Sequence, residues 1–314
     1  MKYSVVVTTY NGEKFIIGQL KSIMNQSIPP TEVIIIDDKS KDNTCLLIEE
    51  FILIHKLDSW KLYVNANNLG WKKNFIYAIE KATNDVIFLA DQDDIWYTEK
   101  AKIFTHYFKS NPSINVISSA FDKIDEYGEC INDLKSNFSK NFLFPKFSYK
   151  NFRVRYPGCT YAFRSSFFHK IKPFWSEEMP HDALLWWYGN LTETLAIYTD
   201  PLISYRRHSN NVSGNKLTRN EIITKIKSEN VFLNNLNSSI SILEKEFPHD
   251  NYEENQKVIN DLMRYTLLRI RGYSTNSLYS ICKNFILYNP CYASYASPTH
   301  HPILSEIKNF LLTK

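Results

Sequence analysis

The chain has 314 residues, 44% of them hydrophobic and 22% charged, as in a globular protein of one large domain or two modest ones. A formal charge of +4 is small for this length and does not mark a nucleic-acid binder. The five cysteines are scattered and contain no C-x-x-C pair. They argue against a disulfide framework or zinc ribbon, and make a reducing cytoplasm the expected compartment. No window has the apolar length of a membrane span and Val5–Val7 is too short for a signal-peptide core, so a soluble protein is expected, with peripheral membrane attachment left open.

The first hundred residues alternate between two periods. "YSVVVTT", "EVIIIDD", "KLYVN", "DVIFLAD" and "INVISSA" are β-branched or apolar runs suited to strands buried on both faces. Between them, Ile16, Leu20, Ile23 and Met24, then Leu47, Ile48, Phe51 and Ile54, then Phe75, Ala78, Ile79 and Ala82 recur at helical spacing. This order predicts an α/β fold with a mostly parallel sheet flanked by helices. From Phe121 to Phe152 the pattern weakens to loop with short strands. "CTYAFRSSFFHKI" then reads as a strand, a serine cap and a helix, and "HDALLWWYGN" as a short helix. "LAIYTDPLISYRRH" reads as two strands around an Asp-Pro turn. Beyond residue 215, the spacing of Ile222, Ile226, Leu233, Leu236, Ile240, Leu243 and Phe247 predicts a long amphipathic helix ended by Pro248, and two more helical patterns follow. The expected division is 1–215 for the α/β unit, with halves 1–110 and 111–215, and 216–314 for a helical C-terminal extension.

Ligands of open parallel sheets bind at the carboxyl ends of the strands. Three polar clusters fall there: "TTYNGE", "DDKSKDNT" and "DQDD". Neither G-x-G-x-x-G nor a G-x-x-x-x-G-K-[ST] loop occurs, so a glycine-rich nest for a diphosphate is not expected and a metal ion is the alternative. Asp91, Asp93 and Asp94 place three carboxylates within four residues at the end of an apolar run. Something positive must offset them, whether a lysine, water or a metal.

"SVVVTTYNGEKFIIGQLKSIMNQS", "EVIIIDDKSKDNT" and "FLADQDDIW" together closely resemble family 2 glycosyltransferases, which have the GT-A fold. The resemblance spans about the first 215 residues. "DQDDIW" with "YRRHSNNVSG" is similar to the subgroup described as rhamnosyltransferase-like. The resemblance implies inverting transfer of rhamnose or another hexose from a nucleoside-diphosphate donor, UDP- or dTDP-linked, to a hydroxyl of a glycan or lipid-linked saccharide in bacterial surface polysaccharide synthesis. On the donor side it implies Thr8, Tyr10, Glu13, Asp37 and Asp38. Asp91 and Asp93 would bind ribose or sugar and a divalent metal, Mn²⁺ or Mg²⁺, and His208 would reach back to the metal or diphosphate. Asp182 falls where the family places its general base, with His181 in the position of a second acid. From the residues themselves, Lys72 or Lys73 could neutralise a phosphate or Asp38 or be a solvated helix start, and Arg206 and Arg207 could pair with the diphosphate or be ordinary surface residues. Trp186 and Trp187 could form a platform for the acceptor sugar, although tryptophan is more often at least partly in the core. Asp94 would support the turn, and Ile95 and Trp96 would pack beneath it. For Asp42 a helix cap is expected.

Two other classes stand beside this. A sugar-phosphate nucleotidyltransferase would need a glycine-rich basic loop after the first strand, for which "TTYNGEKF" is a poor candidate. A non-catalytic nucleotide-binding module would show no metal-dependent donor hydrolysis. For the C-terminal helices the readings are a packed lid, a homodimer interface, or a lipid-facing surface carrying Tyr273, Tyr279, Tyr288, Tyr292 and Tyr295 with Arg271 and Lys283.

Overall fold

The computed structural model describes residues 1–131, 140–208, 218–288, 290–291 and 310. In chain order the elements are β1 (Tyr3–Thr9), α1 (Ile16–Met24), β2 (Glu32–Asp37), α2 (Thr44–Ile54), β3 (Trp60–Val64), α3 (Trp71–Lys81), β4 (Val86–Ala90), β5 (Ile95–Trp96) and α4 (Lys100–Ser110). There follow β6 (Val116–Ile124), β7 (Phe142–Leu143), β8 (Ala162–Arg164), α5 (Ser165–Ile171), α6 (His181–Leu191) and β9 (Leu195–Arg206). Three helices complete the chain: α7 (Arg219–Glu246), α8 (Tyr252–Ser274) and α9 (Leu278–Leu287).

The strands form one sheet in the order β3-β2-β1-β4-β8-β6-β9-β5, with β7 also on β9. β1 lies between β2 and β4, parallel to both, and β2 is parallel to β3. Every residue of β1 and β4 is buried, as their unbroken apolar runs require. Side-chain alternation divides the core. Val5, Val7 and Phe88 face α1, α2 and α4, whereas Val6, Ile34 and Leu89 face α3, α5 and α6. The second of these cores continues into Phe232, Leu236 and Ile240 of α7 and Ile259 and Leu262 of α8. The start of α7 is fixed by a capping box between Thr218 and Glu221.

The sheet is mixed. β8 inserts antiparallel between β4 and β6. The "LAIYTDPLISYRRH" segment is one strand, not two around a turn, and Asp200–Pro201 sits at an irregularity in the β6–β9 register. Proline cannot donate to the ladder, and a bulge absorbs that loss without reversing the chain. No serine side chain caps α5; its N-cap position is Arg164. Among the described residues, no helix is long and apolar enough to cross a membrane.

On the C-terminal helices, Tyr273 is buried against Ile281 and Phe310, so it does not belong to an exposed surface. Tyr279, Ile286 and Leu287 of α9 are exposed. Tyr292 and Tyr295 lie outside the described residues.

Candidate active site at the strand ends

Chain order turns back at β1: β2 and β3 lie on one side and β4 on the other, which leaves a crevice at the carboxyl ends of β1 and β4. Register sets the three polar clusters side by side there, with Thr9 opposite Asp37 and Val7 opposite Ala90.

The loops on the donor side are zipped together. Asn11, in the left-handed region at φ 48°, accepts at its side-chain oxygen from Lys41 N and donates its own N–H to Ser40 Oγ. Glu13 Oε2 accepts from the backbone and side-chain nitrogens of Asn43. The Asp42 carboxylate accepts from Glu13 N and Thr44 N, pinning the entry to α2, although the N-cap position itself is Asn43. Asp37 is buried and takes donations from Thr9 Oγ1 and from Ser40 N and Oγ. Asp38 accepts from Asn65 Nδ2, Leu69 N and Gly70 N. Gly70, at φ 80°, adopts the conformation that lets the chain present that N–H and then enter α3. Thr8 is buried and Tyr10 is 42% exposed at the crevice.

The DQDD turn is held from two sides. Gln92 grips the backbone of Tyr10 at two points, Tyr10 N to Gln92 Oε1 at 2.8 Å and Gln92 Nε2 to Tyr10 O at 3.1 Å. A Cβ at position 12 would collide with Gln92 Oε1, so glycine there leaves the Gln92 side chain room to reach Tyr10. On the other side, β9 pairs with β5 and brings residues 206–208 to the turn. Arg206 N donates to Asp94 Oδ1 and Arg206 Nε to Asp93 O, while Nη1 reaches Asp125 O and Glu126 O. Arg206 is therefore a buried tie between loops and is not presented to a diphosphate. Arg207 is exposed, and its N–H donates to Ile124 O. His208 Nε2 stands 2.7 Å from Asp93 Oδ2, its ring against Phe15 at 5.1 Å, and Arg206 lies over the same Phe15 ring.

Behind the turn lies a second cluster that the sequence did not announce. Ligand atoms of Asp91, Asp94 and Cys159 come within 4.8 Å of one another. Lys100, fully buried at the start of α4, donates from Nζ to Cys159 O at 2.7 Å and lies 4.0 Å from the centre of the Trp96 ring. Burial pushes Lys100 down to about 7, against the pull of Cys159, Asp94 and Asp91. Burial and then the Asp93 charge push Asp94 up to about 7. Asp91 is raised by burial, then by Asp94, Asp93 and Asp182. The only advance signal was a lysine six residues after Asp94, and a lysine at a helix start is ordinarily a solvated residue.

Across the crevice, Asp182 sits in the first turn of α6, its Oδ1 accepting from Ala183 N. Burial raises its carboxyl to about 6, although backbone N–H groups pull it down. His181 is buried with its ring 3.8 Å from that of Phe75, and neither ring nitrogen finds a partner among the described residues. Burial lowers it to about 3, so it is a neutral imidazole and not a second acid. Gly158 fits against it where a Cβ would collide with Nε2.

Other expected residues are placed elsewhere. Trp186 and Trp187 do not form an open platform: they are 1% and 5% exposed, and their indole N–H groups donate to Asn151 O and Phe152 O. The indole is apolar enough for the core once its single donor is satisfied. Lys72 and Lys73 pair with Glu178 and Glu177, at 3.2 and 2.7 Å, beside a cavity of about 310 Å³. They are not at Asp38, which backbone N–H groups already serve. One turn along α6 from Asp182, a cavity of about 330 Å³ is bordered by Phe144, Lys150, Arg155, Tyr156 and Trp186.

A doubly wound nucleotide-binding half, an acidic turn at its switch point and a facing carboxyl on a helix define the GT-A class of transferase. Structures in the same class include TarS 1-349 of S. aureus, with a TM-score of 0.59 at 14% identity over 94% of this chain and 90% of that one. The same fragment in complex with UDP-GlcNAc gives 0.58 at 17%, over 94% and 91%. A mannosyltransferase of Pyrobaculum calidifontis in complex with GDP-Man and Mn²⁺ gives 0.53 at 13%, over 99% and 79%. The model of glycosyl transferase family 2 matches residues 4–170, and the chain belongs to that family. Its relatives include a dTDP-rhamnosyl transferase of Shigella flexneri, 32% identical over 66% of this chain and 73% of the relative. Another is an uncharacterised glycosyltransferase of Haemophilus influenzae, 26% identical over 89% of this chain and 90% of the relative. The chain is a glycosyltransferase.

Proposed function

We propose that this glycosyltransferase is metal-dependent and inverting, and moves rhamnose or another hexose from a dTDP- or UDP-linked donor to a hydroxyl of a glycan or lipid-linked saccharide. The observation that carries the reading is the meeting of the polar strand-end clusters of β1, β2 and β4, where Asp93 Oδ2 of the DQDD turn stands 2.7 Å from His208 Nε2. The dTDP-rhamnosyl name of the Shigella flexneri relative supports a dTDP-deoxyhexose donor, and the TarS complex with UDP-GlcNAc supports a pyrimidine nucleotide.

Asp93 and His208 would hold the ion. A carboxylate oxygen and an imidazole nitrogen 2.7 Å apart suit Mn²⁺ or Mg²⁺ and leave positions for phosphate oxygens and water. When bound, that ion neutralises charge growing on the leaving diphosphate. The protein's own residues do the rest. The Tyr10 ring and the zipped loop at 10–13 face the nucleoside, and Asp91 faces ribose or sugar. Asp182 takes the acceptor hydroxyl proton while the oxygen attacks the anomeric carbon and the C–O bond to phosphate breaks, its electron pair leaving with the diphosphate. A carboxyl at about 6 is a stronger base than an ordinary one, yet at neutral pH it is about ten to one ionised. The cavity beside Tyr156, one turn along α6, supports an acceptor seat on that side. The exposed apolar side chains of α9 support peripheral attachment to the inner face of the membrane or a homodimer contact.

A thermal-shift panel of UDP-, dTDP- and GDP-sugars with and without Mn²⁺ or Mg²⁺ tests this, because a ligand that binds only the folded state raises its stability. A metal-dependent rise with one pyrimidine donor is expected. No shift with any combination overturns the reading.

A further inference from the structure

Between residues 134 and 176 the chain has nine lysines and arginines and no aspartate or glutamate, although its whole positive excess is only four. Several of these cations are already engaged. Lys146 pairs with Glu193, Lys170 with Glu246 and Lys172 with Glu80, and Arg164 donates to the carbonyls of Ile114 and Phe108. Lys150 and Arg155 are exposed, and among the described residues no carboxylate pairs with either. Both border the cavity of about 330 Å³ whose walls include Phe144, Tyr156 and Trp186, and no acid borders it among the described residues.

The loop itself holds the two cations on that rim. Arg155 Nη2 donates to Lys150 O at 2.9 Å and closes the turn between them. The indole N–H groups of Trp186 and Trp187 grip the same loop at Asn151 O and Phe152 O, and the Phe152 ring stacks on Trp187 at 5.2 Å. The two tryptophans thus anchor a cationic loop. A lone surface lysine is ordinary, but two cations fixed on one rim of an apolar-walled cavity make a positive potential that no acid cancels. Trp186, in the cavity wall, follows Asp182 by four residues of α6, about 6 Å of helix rise.

We propose that this cavity seats an anionic acceptor, a saccharide bearing a phosphoryl or carboxylate group. Its oxyanion would lie on Lys150 and Arg155, and a sugar face against Tyr156 and Phe144. That the occupant is the acceptor rests on the proposed function; the anion seat does not. The planar Arg155 fork matches two oxygens of either group, and Lys150 adds a point charge.

Calorimetry on full-length wild type, Lys150→Gln, Lys150→Arg and the double variant Lys150→Gln/Arg155→Gln tests this. The probes are glucose 1-phosphate, glucuronate, glucose and inorganic phosphate, without added metal. Wild type should bind a charged sugar about tenfold or more tightly than glucose, the worth of a charge-assisted hydrogen bond. It should also bind that sugar more tightly than inorganic phosphate, which has no ring for the aromatic wall. The double variant should lose about tenfold or more, while Lys150→Arg, which keeps the charge, should stay within about threefold of wild type. Lys150→Gln keeps the carbonyl that Arg155 holds, so it reads the charge alone should the double variant fail to fold; it should lose about threefold or more. Glucose bound as well as the charged sugars, unchanged binding in the glutamine variants, or phosphate bound as tightly as glucose 1-phosphate, an adventitious ion only, overturns the proposal. A sugar nucleotide that binds with metal while no charged sugar binds refutes the seat and leaves the proposed function standing. Charged-sugar binding that is lost in the glutamine variants, with no donor shift in any combination, upholds the anion seat and refutes the proposed function.

Discussion

Replacing Asp182 by asparagine removes a charge that the fold opposes, so activity and stability should move in opposite directions. Burial raises this carboxyl from 3.8 to about 6. A carboxyl raised in the folded state binds its proton more tightly there than in the unfolded chain. Its contribution to stability is complete below 3.8 and is lost as pH rises through about 6. The loss is about 3 kcal/mol at pH 8, from roughly 1.4 kcal/mol for each tenfold change in proton affinity. Asp182→Asn should therefore melt several degrees above wild type at pH 8, and the advantage should vanish near pH 4. Transfer should fall by about 10²–10⁴-fold, the usual worth of a general base. In wild type, kcat/KM should drop as pH falls through about 6, and the variant should lack that limb. Product formation from donor and acceptor across pH, together with melting curves over the same range, reads both. A variant that keeps more than about a tenth of the rate, or keeps the acid limb, refutes the assignment.

The remaining expectations are independent. Gly12→Ala should expel the Gln92 side chain from Tyr10, lowering the melting temperature by a few degrees for two hydrogen bonds of about 1 kcal/mol each and weakening donor-nucleotide binding in calorimetry. His208→Ala should weaken Mn²⁺ binding in calorimetry while leaving metal-free nucleotide binding near wild type. Trp187→Ala should cost about 3–5 kcal/mol in urea unfolding, with acceptor KM unchanged in whatever enzyme remains folded.

The nucleotide-side half of the fold was legible because β1, β2 and β4 are buried on both faces and need unbroken apolar runs, as "SVVV", "VIII" and "VIFLA" are. The strand-end position of the three acids followed from those runs. In the other half β6, the β8–α5 strand and helix, and α6 were legible as elements, but their pairing was not. β8 owes its place to antiparallel pairings with β4 and β6, which no local pattern reports. Asp-Pro is a turn signal in isolation, yet β6 holds that segment straight. Trp186 and Trp187 suit a sugar platform and a core equally well, and only the carbonyls of Asn151 and Phe152 decide between them. Lys100 was hidden for the opposite reason: a lysine at a helix start is ordinarily solvated, and its place against Cys159 O and the Trp96 ring is a tertiary fact.

The bonds that shape the crevice end largely on main chain. Gln92 holds the amide and carbonyl of Tyr10, Arg206 holds three carbonyls, Glu13 holds the amide of Asn43, and Asp38 holds the amides of Leu69 and Gly70. A main-chain group is present whatever residue occupies its position, so the frame does not depend on the side chains it displays. Tyr10 is the clearest case, its backbone gripped and its ring free at the crevice. Selectivity for one sugar nucleotide over another can thus be rewritten at such positions, in a laboratory library or over evolutionary time, without rebuilding the loops that carry them.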